Sequence, residues 1–138
     1  MSNIIECSNL SHVYPTGFPA IKGINLKVKS REIVAILGQN GSGKTTLVKH
    51  FNGLLKPTSG KVSINGIDTA TQTVFNLSSH AGYVFQNPNH QLFATSVLTE
   101  LEFGPKNQGL ENDEIEARVK EATDFFQLHS IINEHPLR

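Results

Sequence analysis

Apolar and polar side chains alternate most cleanly in the first third of the chain. Ile24, Leu26 and Val28 alternate with Asn25, Lys27 and Lys29, which predicts a strand with one buried face. Ile5, Cys7 and Asn9 alternate with Glu6, Ser8 and Leu10 in a weaker version of that pattern. Ile33-Val34-Ala35-Ile36-Leu37 is uniformly apolar and rich in β-branched residues. It predicts a strand buried on both faces, of the kind found in parallel sheets covered by helices. After the glycine-rich stretch from Gly38 to Gly43, Leu47, Val48 and Phe51 stand at helical spacing, so a helix is expected from Lys44. Gly53 is its stop, and Pro57-Thr58-Ser59-Gly60 is a turn. Val62 and Ile64 form the next strand, Asn65-Gly66 a hairpin turn, and Ile67 the start of the return strand.

The later pattern is helical. Residues 69–80 are polar apart from Val74, Phe75 and Leu77, which suggest one short helix. Tyr83-Val84-Phe85 reads as a short apolar strand ending at Gln86. Thr95 and Ser96 are caps for a helix carrying Val97, Leu98 and Leu101, which Gly104-Pro105 should kink or end. Asn112-Asp113-Glu114 caps another helix, with negative charge where the helix dipole favours it. Its apolar stripe is Ile115, Val119, Ala122 and Phe126. A boundary is placed near Gln86–Asn89, dividing the chain into residues 1–86 and 87–138.

Composition narrows the class. The 138 residues carry 12 Lys and Arg against 12 Asp and Glu, for no net charge. That balance excludes a basic coat for nucleic acid, so no nucleic-acid partner is expected. The 38% apolar content is enough to build a core. The longest apolar run is Ile33–Leu37, far short of the roughly 20 residues a membrane span needs. Met1-Ser2-Asn3-Ile4 does not begin a signal peptide, and Cys7 is alone, buried in an early strand and expected to be inert. These features suggest a cytosolic location, with any membrane role borrowed from partners.

Gly38-Gln39-Asn40-Gly41-Ser42-Gly43-Lys44-Thr45 carries G-x-x-x-x-G-K-[ST]. Glycines let the backbone curl so that successive N–H groups point at phosphate oxygens. The helix that follows presents unpaired N–H donors and a partial positive charge. Lys44 reaches the β- and γ-phosphates, and the Thr45 hydroxyl holds Mg²⁺. The pattern arises by chance on the order of once in 10⁴ windows, and here an apolar stretch precedes it and a helical one follows. No other constellation competes with it. His12, His50, His80, His90, His129 and His135 show no metal-ligand spacing and read as structural or surface residues. Lys22, Lys27, Lys29 and Arg31 read as a solvated strand face.

The loop alone does not choose among nucleotide-binding families, but its flanks do. Gly41-Ser42-Gly43-Lys44-Thr45-Thr46-Leu47, then Gly53-Leu54-Leu55-Lys56-Pro57-Thr58-Ser59-Gly60, then Val62 and Ile64-Asn65-Gly66, resemble the nucleotide-binding subunit of ABC transporters. The resemblance implies an α/β fold. In it, a P-loop NTPase (ABC ATPase) core of RecA-like type carries an antiparallel β subdomain and part of a helical subdomain. It implies that Tyr14, in Ser11-His12-Val13-Tyr14, stacks on adenine. It implies that Gln86, in Val84-Phe85-Gln86-Asn87-Pro88, meets Mg²⁺ or the attacking water while its loop senses a membrane subunit. ATP would then be held by Tyr14, Gly38, Asn40, Gly41, Ser42, Gly43, Lys44, Thr45 and Thr46, the last on the α-phosphate side. Lys44 and Gln86 would serve catalysis, and Thr45 and Gln86 would hold Mg²⁺.

A narrower resemblance follows. Asn87-Pro88-Asn89-His90-Gln91-Leu92-Phe93 and Phe103-Gly104-Pro105-Lys106-Asn107-Gln108-Gly109-Leu110 look like the ATPase subunits of energy-coupling-factor importers. Such importers take up vitamins and cobalt or nickel ions. Gln91 and Phe93 either contact a coupling helix of the membrane partner or cap the local fold. The implied partners are a second ABC ATPase subunit, identical or merely similar, a transmembrane coupling subunit and a substrate-binding membrane subunit. The implied place is the cytoplasmic face of the cell membrane, as a peripheral subunit. The cargo is not legible here, because in that group a separate membrane subunit chooses it.

The resemblance also breaks. The family's L-S-G-G-Q signature, the acidic strand after it and the switch histidine beyond are absent, and the chain stops at His135-Pro136-Leu137-Arg138. It therefore reads as an N-terminal fragment of a transport ATPase. Unpaired strand edges and exposed apolar surface are expected of it. The fragment should bind ATP weakly and turn it over negligibly. An ABC ATPase with a soluble task and an inactive truncated remnant stay open as alternatives. A small-molecule kinase fits the loop but not Tyr14 or Phe85-Gln86-Asn87-Pro88.

Overall fold

A long antiparallel hairpin, β1 (Asn3–Val13) with β2 (Pro19–Lys29), organises the first part of the chain in the computed structural model, which describes residues 2–138. Strand β3 (Ser59–Ile64) pairs with the other edge of β1, and β4 (Ile67–Asp68) pairs with β3, giving the order β2-β1-β3-β4. The expected alternation along β2 holds: Val28 is buried, Ile24 and Leu26 half-buried, and Asn25, Lys27 and Lys29 exposed.

The weak alternation along β1 has a structural cause. Cys7 pairs with Leu26 but Leu10 with Ile24, so β1 carries one extra residue there. Asn9 takes φ 50°, its side chain is exposed, and its N–H donates to Asn25 Oδ1 at 2.8 Å. This bulge carries Leu10 rather than Asn9 onto the buried face, the reverse of the strict period-2 expectation. A second bulge at Gly23 on β2 restores the register. Cys7, Leu10, Ile21 and Val62 then form a core against which Ile24, Leu26, Leu47 and Phe51 pack. Burial pushes the Cys7 thiol up to about 11, so it stays protonated and inert.

Helix α1 (Lys44–Phe51) packs on β2 and β3, and Asn52 and Gly53 end it. Asn65 and Gly66 both take positive φ, 48° and 80°, as a two-residue hairpin turn requires. Helix α2 (Val74–Ser78) starts at a Thr73 cap and buries Leu77 completely.

Two expected strands are not formed. Ile33–Leu37 and Tyr83–Phe85 join no ladder among the described residues. Ile33 is 100% exposed, Leu37 90% and Val84 84%. A segment suited to burial on both faces becomes a strand only when neighbours pair with it, and the antiparallel sheet offers none.

The chain divides between Tyr83 and Val84 into two compact units. The second, Val84–Arg138, holds α3 (Val97–Asn107) and α4 (Asn112–Phe125), which pack on each other. Ser96 and Thr99 form a reciprocal capping box at the start of α3. The helix runs through Pro105 for two more residues rather than ending there, and Gly109 at φ 72° then reverses the chain. Helix α4 starts at Asn112, with Glu111 at the cap position making no side-chain bond, so Asn112 is not the cap. Asp113 and Glu114 do lie in its first turn. Ile115, Val119 and Thr123 are its buried residues. Phe126 falls just past the helix and is exposed, edge-on to the exposed Phe125, so the stripe ends one turn earlier than expected.

Candidate functional site

The loop before α1 is curled by its glycines. Gly41 and Gly43 take φ 82° and 89°, a region glycine enters at little cost. A Cβ on Gly43 would also lie 2.7 Å from the Ala20 carbonyl oxygen and from Ile21 on β2. The loop therefore sits against the sheet at a point where only glycine fits. One on Gly38 would meet Ser42 Oγ at 2.7 Å. The N–H of Ser42 closes a turn onto the Gln39 carbonyl at 3.2 Å.

The Lys44 ammonium folds back over this loop and donates to the carbonyls of Gly38 and Gln39, both at 2.8 Å. Gly43 at the cap position offers no side chain, so it places no capping acceptor over the first-turn N–H groups of α1. Thr45 is exposed at the same helix end. Asn40 and Ser42 are exposed loop residues between the glycines. These donors, one ammonium, one hydroxyl and a helix N-terminus, suit a polyphosphate with its divalent cation.

Tyr14 comes to the same place from 32 residues away. It lies just past the end of β1, where its N–H donates to the Phe18 carbonyl at 2.9 Å in the turn toward β2. Its hydroxyl lies 3.0 Å from Thr46 Oγ1, and Thr46 is buried in the first turn of α1. The fold thus brings one aromatic residue alongside the start of α1.

Gln86 is placed in the second unit, exposed, just before the turn Pro88–His90. Around it the segment is held by its own side chains. Asn87 Oδ1 accepts from the Asn89 N–H at 3.0 Å, and Gln91 Oε1 accepts from the Phe85 N–H at 3.1 Å. Glu100 Oε2 accepts from the N–H groups of Phe93 and Ala94 at 3.1 and 2.9 Å. Phe93 packs edge-on against Phe103 while staying 63% exposed. Sequence reasoning missed Glu100, which reaches back seven residues from α3 to hold this loop. Of the histidines read as structural or surface residues, His12 and His50 are buried, on different elements that share no spacing.

Known proteins resemble this chain over most of its length. The family model described as ABC transporter matches residues 21–137. An energy-coupling factor transporter ATP-binding protein of Methanothermobacter thermautotrophicus is 44% identical over 135 residues, 96% of this chain and 43% of that protein. A putative ABC transporter ATP-binding protein of Caldanaerobacter subterraneus is 45% identical over 133 residues, 96% of this chain and 23% of that protein. Among solved structures, cbiO1 of Clostridium perfringens, described as part of the ABC transporter complex cbiONQ, superposes with a TM-score of 0.81. It is 37% identical, over 96% of this chain and 53% of that one. An ATP-binding cassette solved as a post-hydrolysis dimer with ADP and phosphate gives a TM-score of 0.79 at 28% identity, over 96% of this chain and 61% of that one. The chain spans less than half the length of these two sequence relatives.

Proposed function

Because this chain belongs to the ABC transporter family, we propose that it is the nucleotide-gripping part of an energy-coupling-factor transport ATPase. The observation that carries this reading is the curled glycine loop with Lys44 folded across it at the start of α1, beside Tyr14. The relatives named for energy coupling, and the cbiO1 structure, support the narrower class. Vitamins or cobalt and nickel ions are the proposed cargo class.

In this reading the backbone N–H groups from Asn40 to Lys44 hold the phosphates. Gly38 leaves room for Ser42 to fold against it, Thr46 lies on the α-phosphate side, and Tyr14 stacks on adenine. Lys44 exchanges its two carbonyl partners for β- and γ-phosphate oxygens, which bind an ammonium more strongly than neutral carbonyls do. Thr45 and Gln86 would hold Mg²⁺, which when bound neutralises charge on the phosphate oxygens. Gln86 would also orient the attacking water and report nucleotide state to a transmembrane coupling subunit. A second ATPase subunit and a substrate-binding membrane subunit complete the proposed assembly on the cytoplasmic face of the membrane. No described helix is long and apolar enough to cross a membrane, so the contact would run through those partners.

Lys44→Ala is expected to abolish ATP binding or hydrolysis by the full-length protein. ATP affinity and turnover equal to wild type would refute the assignment. The 138 residues alone should hydrolyse ATP no faster than their Lys44→Ala variant, and steady turnover above that control would show that the chain supplies its own base.

A further inference from the structure

Between β1 and α1 lies a chain of buried polar groups. His12 on β1 is 7% exposed and His50 on α1 is 0% exposed. The Thr46 carbonyl can only accept, so His50 Nδ1, 2.7 Å away, donates to it. His50 Nε2 is then the acceptor of a neutral ring, and it faces His12 Nδ1 at 3.3 Å. His12 Nδ1 also lies 3.0 Å from the Lys56 carbonyl oxygen, which again requires that nitrogen to carry the proton. The His12 Nδ1 proton is thus shared between the Lys56 carbonyl and His50 Nε2. The His12 ring stands edge-on to both His50 and Tyr14, with centroids 4.8 Å apart in each case.

Two bridges therefore join the end of β1 to α1, one at its first turn and one at its last. One runs from Tyr14 to the Thr46 hydroxyl, the other from His12 through His50 to the Thr46 carbonyl. Both end on the residue two places after Lys44. The arrangement is costly as mere filling, because His12 Nε2 is buried with no partner among the described residues. An apolar pair of similar size would fill the space without that cost. Polar pairs differ from apolar ones in admitting one geometry.

We propose that His12 and His50 are positioning residues that lock the Tyr14 ring to the phosphate helix through Thr46, so that adenine and phosphates are gripped as one rigid unit. The proposal rests on the reading that Tyr14 stacks on adenine. Loss of the lock leaves the phosphate cradle intact and lets the aromatic drift, so base recognition suffers and phosphate recognition does not.

The test compares binding of Mg-ATP and of inorganic tripolyphosphate with Mg²⁺ to the full-length protein by calorimetry. His50→Phe should weaken ATP about 5- to 10-fold and tripolyphosphate by less than about twofold, the scale of one net hydrogen bond. Tyr14→Phe keeps the ring, trims only the hydroxyl, and should cost ATP a similar factor with the same selectivity. Since both variants break one lock, the double variant should lose little more than either alone. Additive losses, equal losses for both ligands, or unchanged ATP affinity would overturn the proposal. Tyr14→Phe carries the prediction alone if His50→Phe does not fold. Unchanged ATP affinity in Tyr14→Ala would instead remove the stacking reading itself, an outcome distinct from failure of the lock.

Discussion

Gly60 and His50 show how single positions set what this chain tolerates. Gly60 takes φ 79°, and a Cβ there would lie 2.2 Å from the Asn9 carbonyl oxygen on β1. The β3 strand can approach the β1 bulge only because that atom is missing. Gly60→Ala should therefore cost about 2–4 kcal/mol, combining left-handed strain with a backbone clash. Urea denaturation of the full-length protein measures this, and a loss below about 0.5 kcal/mol would show that the strands part without penalty. His50 titrates below its usual value of 6.5, chiefly because burial disfavours the charged ring, an effect that the hydrogen bond to the Thr46 carbonyl only partly offsets. The folded state then binds fewer protons than the unfolded one below pH 6.5, so stability falls as pH drops from 6.5 through the lower folded value. His50→Phe should flatten that part of the stability–pH curve. An unchanged slope would place the acid sensitivity elsewhere.

Among the elements, α3 and the loop before it are tied down by a few polar contacts beside the packing of α3 on α4. No residue of α3 is buried. Its first turn donates from Val97 and Leu98 to the carbonyls of Glu134 and Ile132, and Ser96 caps it. Glu100 then takes both loop N–H groups at Phe93 and Ala94. Glu100→Ala should leave those two donors without protein partners and raise hydrogen exchange across residues 91–94 by about tenfold, as expected for loss of a charge-assisted bond. Exchange unchanged there would mean the loop is held by other contacts. The sequence foretold this helix and its cap, but not the loop clasp. A Glu in the first turn of a helix is ordinary, and only the folded chain shows what it reaches back to bind. The α4 stripe stops short for a related reason: the periodicity continues to Phe126, but the helix ends at Phe125 and Gln127 at φ 56° turns the chain just beyond.

At the scale of the whole molecule, Ile33, Leu37 and Val84 lie in the open. Apolar β-prone segments without a ladder partner promote self-association. The pair Ile33→Ser and Leu37→Ser should reduce aggregation of the 138-residue chain by light scattering while barely changing its unfolding midpoint. In the longer proteins this family comprises, the same pair should cost about 2–5 kcal/mol per site, because a two-faced apolar strand would be buried there. Equal effects in both settings would contradict the reading of Ile33–Leu37 as an interior strand.

Local chemistry alone determined the β2 alternation, the Asn65-Gly66 turn, the helix after the glycine loop and the loop's own identity. Each depends on residues within a few positions of one another, where side-chain period, positive φ and helix spacing act directly. Tertiary structure decided the rest. The bulge at Asn9 chose which face of β1 is buried, and the absence of pairing left Ile33–Leu37 exposed. The approach of β1 to α1 put Tyr14, Thr46, His12 and His50 within hydrogen-bonding distance. These outcomes depend on groups 16 to 44 residues apart. No spacing rule reaches that far, because such contacts are made by sheet register and helix packing rather than by the local backbone.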